Sequence, residues 1–199
     1  MGIILASSSP RRKRILNKLG YNFQVVEPKI NEKNINSLNP KDYVIDISKK
    51  KGLCVKEKYP NKHIISGDTI VSFKNEIIGK PLSEQDAFHT LKNFSNNAHY
   101  VISALTLTFK NDQITIVDSS KVYFDKISDK QIREYIEKNN VMDKAGSYNI
   151  ENANGFLIKN IDGCYNNIVG FPEQKFLKSK IKIAIDKIWY FTPDIKNFE

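Results

Sequence analysis

Cysteine is scarce: Cys54 and Cys164 are the only two in 199 residues. That excludes a disulfide framework and the paired spacing of a structural zinc site, and it fits a reducing compartment. Three histidines, His63, His89 and His99, stand too far apart for a metal-ligand motif, and their expected places are the surfaces of strands and helices. No apolar run approaches the roughly 20 residues that a spanning helix needs, so membrane residence is not expected. The short apolar stretch Ile3 to Ala6 is followed by Arg11-Arg12 instead of being preceded by basic residues, which is the wrong order for a secretion signal. A cytoplasmic location is expected. Repeats, linkers and low-complexity tracts are lacking too, which leaves one domain over residues 1–199. Acidic residues are in deficit, 22 against 31 basic, for a net charge of +9. Scattered lysines solvate a surface, whereas clustered ones mark a polyanion footprint, so the bare sum does not identify a partner.

What is present suffices for a core. Hydrophobic residues make up 40% and aromatics 11% of the chain, which rules out intrinsic disorder. A short strand, Ile3 to Ala6, runs into a serine cluster, and Ser9 and Pro10 then read as N-cap and first residue of a helix that Gly20 closes. A second helix is predicted from Asn39-Pro40 to just before Pro60. His63 to Phe73 carries the strongest strand signal, with a small polar break at Ser66-Gly67-Asp68-Thr69. Ile77-Ile78 reads as a short strand and Glu84 to Phe94 as a helix. Tyr100 to Phe109 and Ile114 to Val117 form a hairpin turning at Asn111-Asp112, and Lys121 to Phe124 continues the sheet. Ser128 with Gln131 is a capping box. A strand is expected over Phe156 to Ile161 and a closing helix from about Pro172. Hairpins mixed with crossovers predict an α/β fold, a single domain with a mixed, twisted sheet flanked by helices.

Four polar insertions stand beside predicted strand ends: Ser7-Ser8-Ser9-Pro10-Arg11-Arg12, Gly67-Asp68-Thr69, Gly79-Lys80-Pro81 and Asp143-Lys144-Ala145-Gly146. Each joins a small residue, which lets backbone approach a ligand, to one or two charges. Cations, carboxylates and a helix N-terminus suit a nucleoside triphosphate held with a divalent metal. Each piece alone also has a plain reading, the serines as a helix cap and Lys80 as a solvated turn lysine. Asp68 is harder to explain that way, because a carboxylate in an apolar strand is costly unless it has a task.

In this order the motifs resemble the Maf family of nucleoside triphosphate pyrophosphatases. Leu5-Ala6-Ser7-Ser8-Ser9-Pro10-Arg11-Arg12, Gly67-Asp68-Thr69-Ile70-Val71 and Gly79-Lys80-Pro81 carry the likeness. Ile30-Asn31-Glu32, Lys51, Asp143 to Tyr148 and Gly163 through Gly170-Phe171-Pro172 extend it over nearly the whole chain. The resemblance implies a fold similar to that of inosine triphosphatases and hydrolysis of a triphosphate to monophosphate and pyrophosphate with Mg²⁺ or Mn²⁺. It further implies Asp68 as general base, Ser7, Arg11, Arg12, Lys51 and Lys80 as substrate-binding residues, and Glu32 with Asp68 at the metal. A homodimer is the family's usual assembly; no membrane and no stable nucleic-acid partner is implied.

Specificity residues fall at Arg11, Thr69 and Glu151. Members resembling the dTTP/UTP-cleaving branch carry arginine, threonine and glutamine there, so Glu151 departs. Glutamate resembles the 7-methyl-GTP-cleaving branch, whose members have an aromatic residue in place of Arg11. An amide donates and accepts whereas an ionised carboxylate only accepts, so the exchange is chemically significant. Asn96-Asn97 and Asn149 also replace residues usual in the family. A nucleic-acid-binding or division-septum-regulating protein with a retained pocket is the alternative from another class, and a non-hydrolysing phosphate sensor a third.

Overall fold

Eleven residues, His63–Phe73, form β3, the strand around which the sheet changes direction. A computed structural model describes residues 2–31 and 39–190. On one edge, β1 (Ile3–Ala6) lies parallel to the first part of β3, pairing Ile3 with His63 and Ala6 with Ser66, and β2 (Gln24–Val26) lies parallel beyond β1. Past Ser66 no described strand pairs that edge until Val71, where the antiparallel β4 (Glu76–Ile78) begins. The other edge of β3 is paired throughout with β5 (Ala98–Phe109), followed by β6 (Asp112–Phe124) and β7 (Ile158–Asp162), all antiparallel. The sheet order is β2-β1-β3-β5-β6-β7, and the sheet is mixed.

The Gly67-Asp68-Thr69 insertion therefore sits inside a continuous strand, not at a strand end. Its backbone keeps its ladder with Leu105, Ala104 and Ser103, so three polar or small residues leave the pairing with β5 intact. The two segments read separately as Ile114 to Val117 and Lys121 to Phe124 are one strand, β6, and the hairpin turns at Lys110-Asn111, one residue early.

The helical signals hold locally. Ser9 caps α1 (Pro10–Lys18), Asn39 caps α2 (Pro40–Lys58), Ser83 caps α3 (Glu84–Phe94), and Ser128 forms a complete capping box with Gln131 at α4 (Asp129–Lys138). Two short helices escape the periodicity reading, α5 (Ile150–Ala153) and α6 (Tyr165–Val169). The closing helix is two, α7 (Glu173–Leu177) and α8 (Lys180–Tyr190). Asn96 turns at φ +56, a left-handed conformation that asparagine tolerates, so replacing the family's usual residue leaves the turn intact. Among the described residues no helix is long and apolar enough to cross a membrane.

Alternation along the strands divides the core. Leu5, Ile65, Val71, Val101, Leu105 and Leu107 join one large cluster with α1, α3, α4 and α6 to α8. Ile4, Ala6, Ile64, Ile70 and Ala104 face α2, where they meet Val44 and Val55. Successive residues of β3 thus address opposite layers. The α2 contact is close because it is built from small residues. Ser66 Oγ donates to Ser48 O at 2.7 Å, and a Cβ on Gly52 would stand 2.5 Å from Thr108 Oγ1 and 2.9 Å from Ser66 Oγ. Gly52→Ala should therefore force α2 off the sheet and cost about 1–3 kcal/mol, as overpacking does. Urea unfolding checks this: the midpoint should fall with the slope unchanged.

Candidate active site

The cleft opens where β3 lacks a neighbouring strand among the described residues. About 890 Å³ in volume, it is lined by the Ser7 to Arg12 turn, Gly67 to Val71, Gly79-Lys80, Asp143 to Ala145 and the segment from Tyr148 to Ile150. All four polar insertions converge there. Asp68 projects to the α2 layer, where Lys51 Nζ pairs with its Oδ1 at 2.8 Å, both side chains about 15% exposed. Thr69 projects to the opposite layer and meets Arg12 of α1. Gly146 N donates to Gly79 O at 3.0 Å and ties the third insertion to the fourth. Gly146 takes φ +73 against Val71, a conformation and a space that favour glycine.

Arg12 is the most constrained residue of the cleft. Its guanidinium is buried and donates three hydrogen bonds, from Nε to Gly170 O at 2.9 Å, from Nη1 to Ser7 Oγ at 3.2 Å and from Nη2 to Thr69 Oγ1 at 2.9 Å. All three acceptors are neutral. Burial lowers its pKa, and the charge of Asp68 partly opposes that. Gly67 allows the approach: a Cβ there would lie 3.2 Å from Arg12 Nε and 2.9 Å from Ala104 O.

The remaining charges are more open. Arg11 is half-buried and, among the described residues, engages no hydrogen bond or ion pair; Lys80 is exposed at the rim. Lys144 grips both oxygens of Asp143 at 2.6 Å, and this bond, with the nearby charge of Lys80, draws the Asp143 pKa down. Five cations, Arg11, Arg12, Lys51, Lys80 and Lys144, thus face three carboxylates, Glu27, Asp68 and Asp143. Such a surplus in a concave site attracts a polyanion.

Glu151 does not line the cleft. It follows Asn149 and Ile150, which do, but turns outward to Arg14, whose Nη2 stands 2.7 Å from its Oε1. Arg14 lowers the Glu151 pKa and balances its charge, so the departure from glutamine places no uncompensated carboxylate at the cleft. Asn149 caps α5 by accepting from Glu151 N. Glu32 lies outside the described residues, as does most of the C-terminal segment Tyr190 to Pro193, and the metal role drawn for Glu32 has no geometry here.

A family model described as Maf-like protein matches residues 2–179. The chain belongs to the Maf family. Relatives named dTTP/UTP pyrophosphatase include one from Thermosipho melanesiensis, 44% identical over 86% of this chain and 92% of that one. Another, from Clostridium tetani, is 42% identical over 88% and 94%, and one from Clostridium perfringens 38% identical over 90% and 95%. Among solved structures, the Staphylococcus aureus Ham1 protein aligns over 96% of this chain and 100% of that chain, with a TM-score of 0.48 and 10% identity. The Maf motifs are thus the walls of the cleft, brought together from both layers of the sheet.

Behind the wall lie groups that sequence reasoning misplaced. His99 and His63 are both buried, contrary to the surface role expected of them. His99 stacks on Phe94 and its Nε2 lies 2.8 Å from the Tyr148 hydroxyl, while His63 stacks on Phe109 at 3.8 Å between ring centres. Phe171, within the Gly170-Phe171-Pro172 motif, is wholly buried. Burial pushes His99 down to about 3, and burial with the charge of Lys56 pushes His63 down to about 4. An unfolded histidine titrates near 6.5, so below that pH the unfolded chain takes up protons that the native chain refuses. Stability is accordingly full above about pH 6.5 and falls as pH drops toward the native values. Between about pH 7 and pH 5 the loss from His99 alone should be about 2 kcal/mol. Denaturation of His99→Gln across this range should show a shallower pH slope, by about one proton.

Proposed function

We propose that this protein hydrolyses nucleoside triphosphates to monophosphate and pyrophosphate, with dTTP and UTP as its preferred substrates. The observation that carries the reading is the Arg12 guanidinium, buried in the cleft among neutral acceptors and beside Asp68. Three of its five N–H groups are used, and a buried cation without an anion is costly. A phosphate supplies the missing charge and accepts the remaining donors in a forked geometry. Arg11, Lys51 and Lys80 take further phosphate oxygens, and Ser7 and Gly67 let the chain approach them. The relatives' names support pyrimidine triphosphates, and the cytoplasm is the compartment that supplies them.

In the reaction, a water oxygen bonds to the α-phosphorus as the bond from that phosphorus to the α–β bridging oxygen breaks. The electron pair leaves with pyrophosphate, and the water's proton passes to Asp68. Lys51 holds that carboxylate on the α2 side of β3. Arg12, reaching the same strand from the other layer, would meet the charge that grows on the phosphates. The donor chemistry of the cleft suits a hard divalent cation, since its carboxylates are oxygen donors and neither histidine nor cysteine lines it. Among the described residues no group of three or more His, Cys, Asp or Glu could hold a metal by itself. Asp68, with Glu32 as second carboxylate and the substrate's phosphates, would hold Mg²⁺ or Mn²⁺. Such an ion, when bound, offsets negative charge on the leaving pyrophosphate.

Incubation with a panel of canonical and modified triphosphates and Mg²⁺ or Mn²⁺ should release pyrophosphate, fastest from dTTP and UTP. Asp68→Asn should lower kcat by about 10²–10⁴-fold, the range of a lost general base. Absence of release from every substrate, or undiminished release by Asp68→Asn, would overturn the mechanism.

A further inference from the structure

We propose that Thr69 serves the site as a positioning residue for the Arg12 guanidinium, through a one-way chain of hydrogen bonds ending at Ser103 and Asn167, and does not read the substrate's base. The proposal rests on the reading above, in which Arg12 meets phosphate.

The direction of the chain follows from its ends. Arg12 can only donate, and the backbone carbonyl of Asn167 can only accept. Between them lie two hydroxyls, Thr69 Oγ1 at 2.9 Å from Arg12 Nη2 and Ser103 Oγ at 2.8 Å from both Thr69 Oγ1 and Asn167 O. Ser103 must give its one proton to Asn167 O. Thr69 must then give its own to Ser103, and accept from Arg12. Its single proton is therefore spent away from the cleft, and one of its lone pairs is taken by the guanidinium.

The chain is also closed. Asn167 O accepts from Gly170 N at 3.0 Å, and Gly170 O accepts from Arg12 Nε at 2.9 Å, so the guanidinium is tied to α6 by two routes. Asn167 is anchored in turn by its Nδ2, which donates to Val101 O and Ser120 Oγ, each at 3.0 Å. Ser103 and Asn167 are fully buried, and Ser103 stands directly across the strand pair from Thr69. Linked hydrogen bonds of this kind fix a long side chain that would otherwise lose considerable rotamer entropy on binding. Ser103, which no motif signalled, belongs to the same device.

A positioning residue and a base-reading residue differ in what they do across a panel of bases. Thr69→Val and Ser103→Ala should each weaken binding of inorganic pyrophosphate, followed by calorimetry, by about 5–20-fold. Each should raise KM by a similar factor for every base, with kcat changed less. Thr69→Ser, which keeps the hydroxyl, should stay within about 2-fold of wild type. The double variant should be little worse than either single one, because both break one chain. A changed ratio between bases in Thr69→Val without the same change in Ser103→Ala would overturn the proposal in favour of base reading. A lowered thermal midpoint with unaltered pyrophosphate affinity and KM would overturn it in favour of packing alone. If wild type turns over no triphosphate, the functional reading fails, yet the pyrophosphate titrations still decide the role of Thr69; wild type that does not bind pyrophosphate overturns both.

Discussion

Between Ser66 and Val71 one edge of β3 has no strand beside it among the described residues, and the site depends on that gap. The sheet changes direction there: the parallel strand β1 ends opposite Ser66, and the antiparallel β4 begins opposite Val71. An unpaired strand edge exposes main-chain donors and acceptors, which a folded protein must cover or use. Here they face a cleft. Because side chains alternate across a strand, this one edge sends Asp68 into the layer of α2 and Thr69 into the layer of α1. A carboxylate and a cation site, reached from opposite faces, come to lie one residue apart.

The two sides of the gap manage charge differently. On the α2 side, Lys51 and Asp68 neutralise one another at 2.8 Å. On the α1 side, Arg12 is surrounded by carbonyl and hydroxyl oxygens, which orient a cation without cancelling it. An ion pair at Arg12 would leave little attraction for an incoming anion, whereas neutral acceptors keep it. The overall charge of +9 says little about this. Five cations in the cleft are enough for a polyanion, and among the described residues the other lysines and arginines do not line it.

Much of this was legible in the sequence wherever a local rule was at work. Ser9-Pro10, Asn39-Pro40 and the Ser128 to Gln131 box specify helix starts by hydrogen bonds within four residues, and each holds. The motif residues were recognisable because small and charged residues interrupt apolar strands. What was not legible is non-local. Gly67 to Thr69 looked like a strand end because a polar triplet seldom sits mid-strand; its pairing with β5 comes from residues 36 positions or so away, as register allows. His99 and His63 look like surface histidines until α3 brings Phe94 beside the one and β5 brings Phe109 beside the other. Helices α5 and α6, at 4 and 5 residues, are too short for a period of 3.6 to register, although Asn149 as a cap and Gly170 past the end at φ +113 were available signals. Ser103 and Asn167 carry no sequence mark at all, since hydroxyl and amide residues are common and their partners lie far along the chain.

The rigidity of the cleft is unevenly distributed, and that has a chemical consequence. Arg12, Lys51 and Asp68 stand on α1, α2 and β3, beside the small-residue packing at Gly52 and, for Arg12, within the hydrogen-bond circuit through α6. The opposite wall, from Asp143 through Ile150, is a 3₁₀ turn and the start of a four-residue helix. Groups that must meet a developing charge tolerate little displacement, and regular elements hold them better than loops. A wall that sorts one base from another can vary its side chains without moving those groups. Glu151, where a family glutamine is usual, stands outside the cleft lining and is paired by Arg14, so that exchange leaves the guanidinium, the lysine and the carboxylate of the cleft untouched.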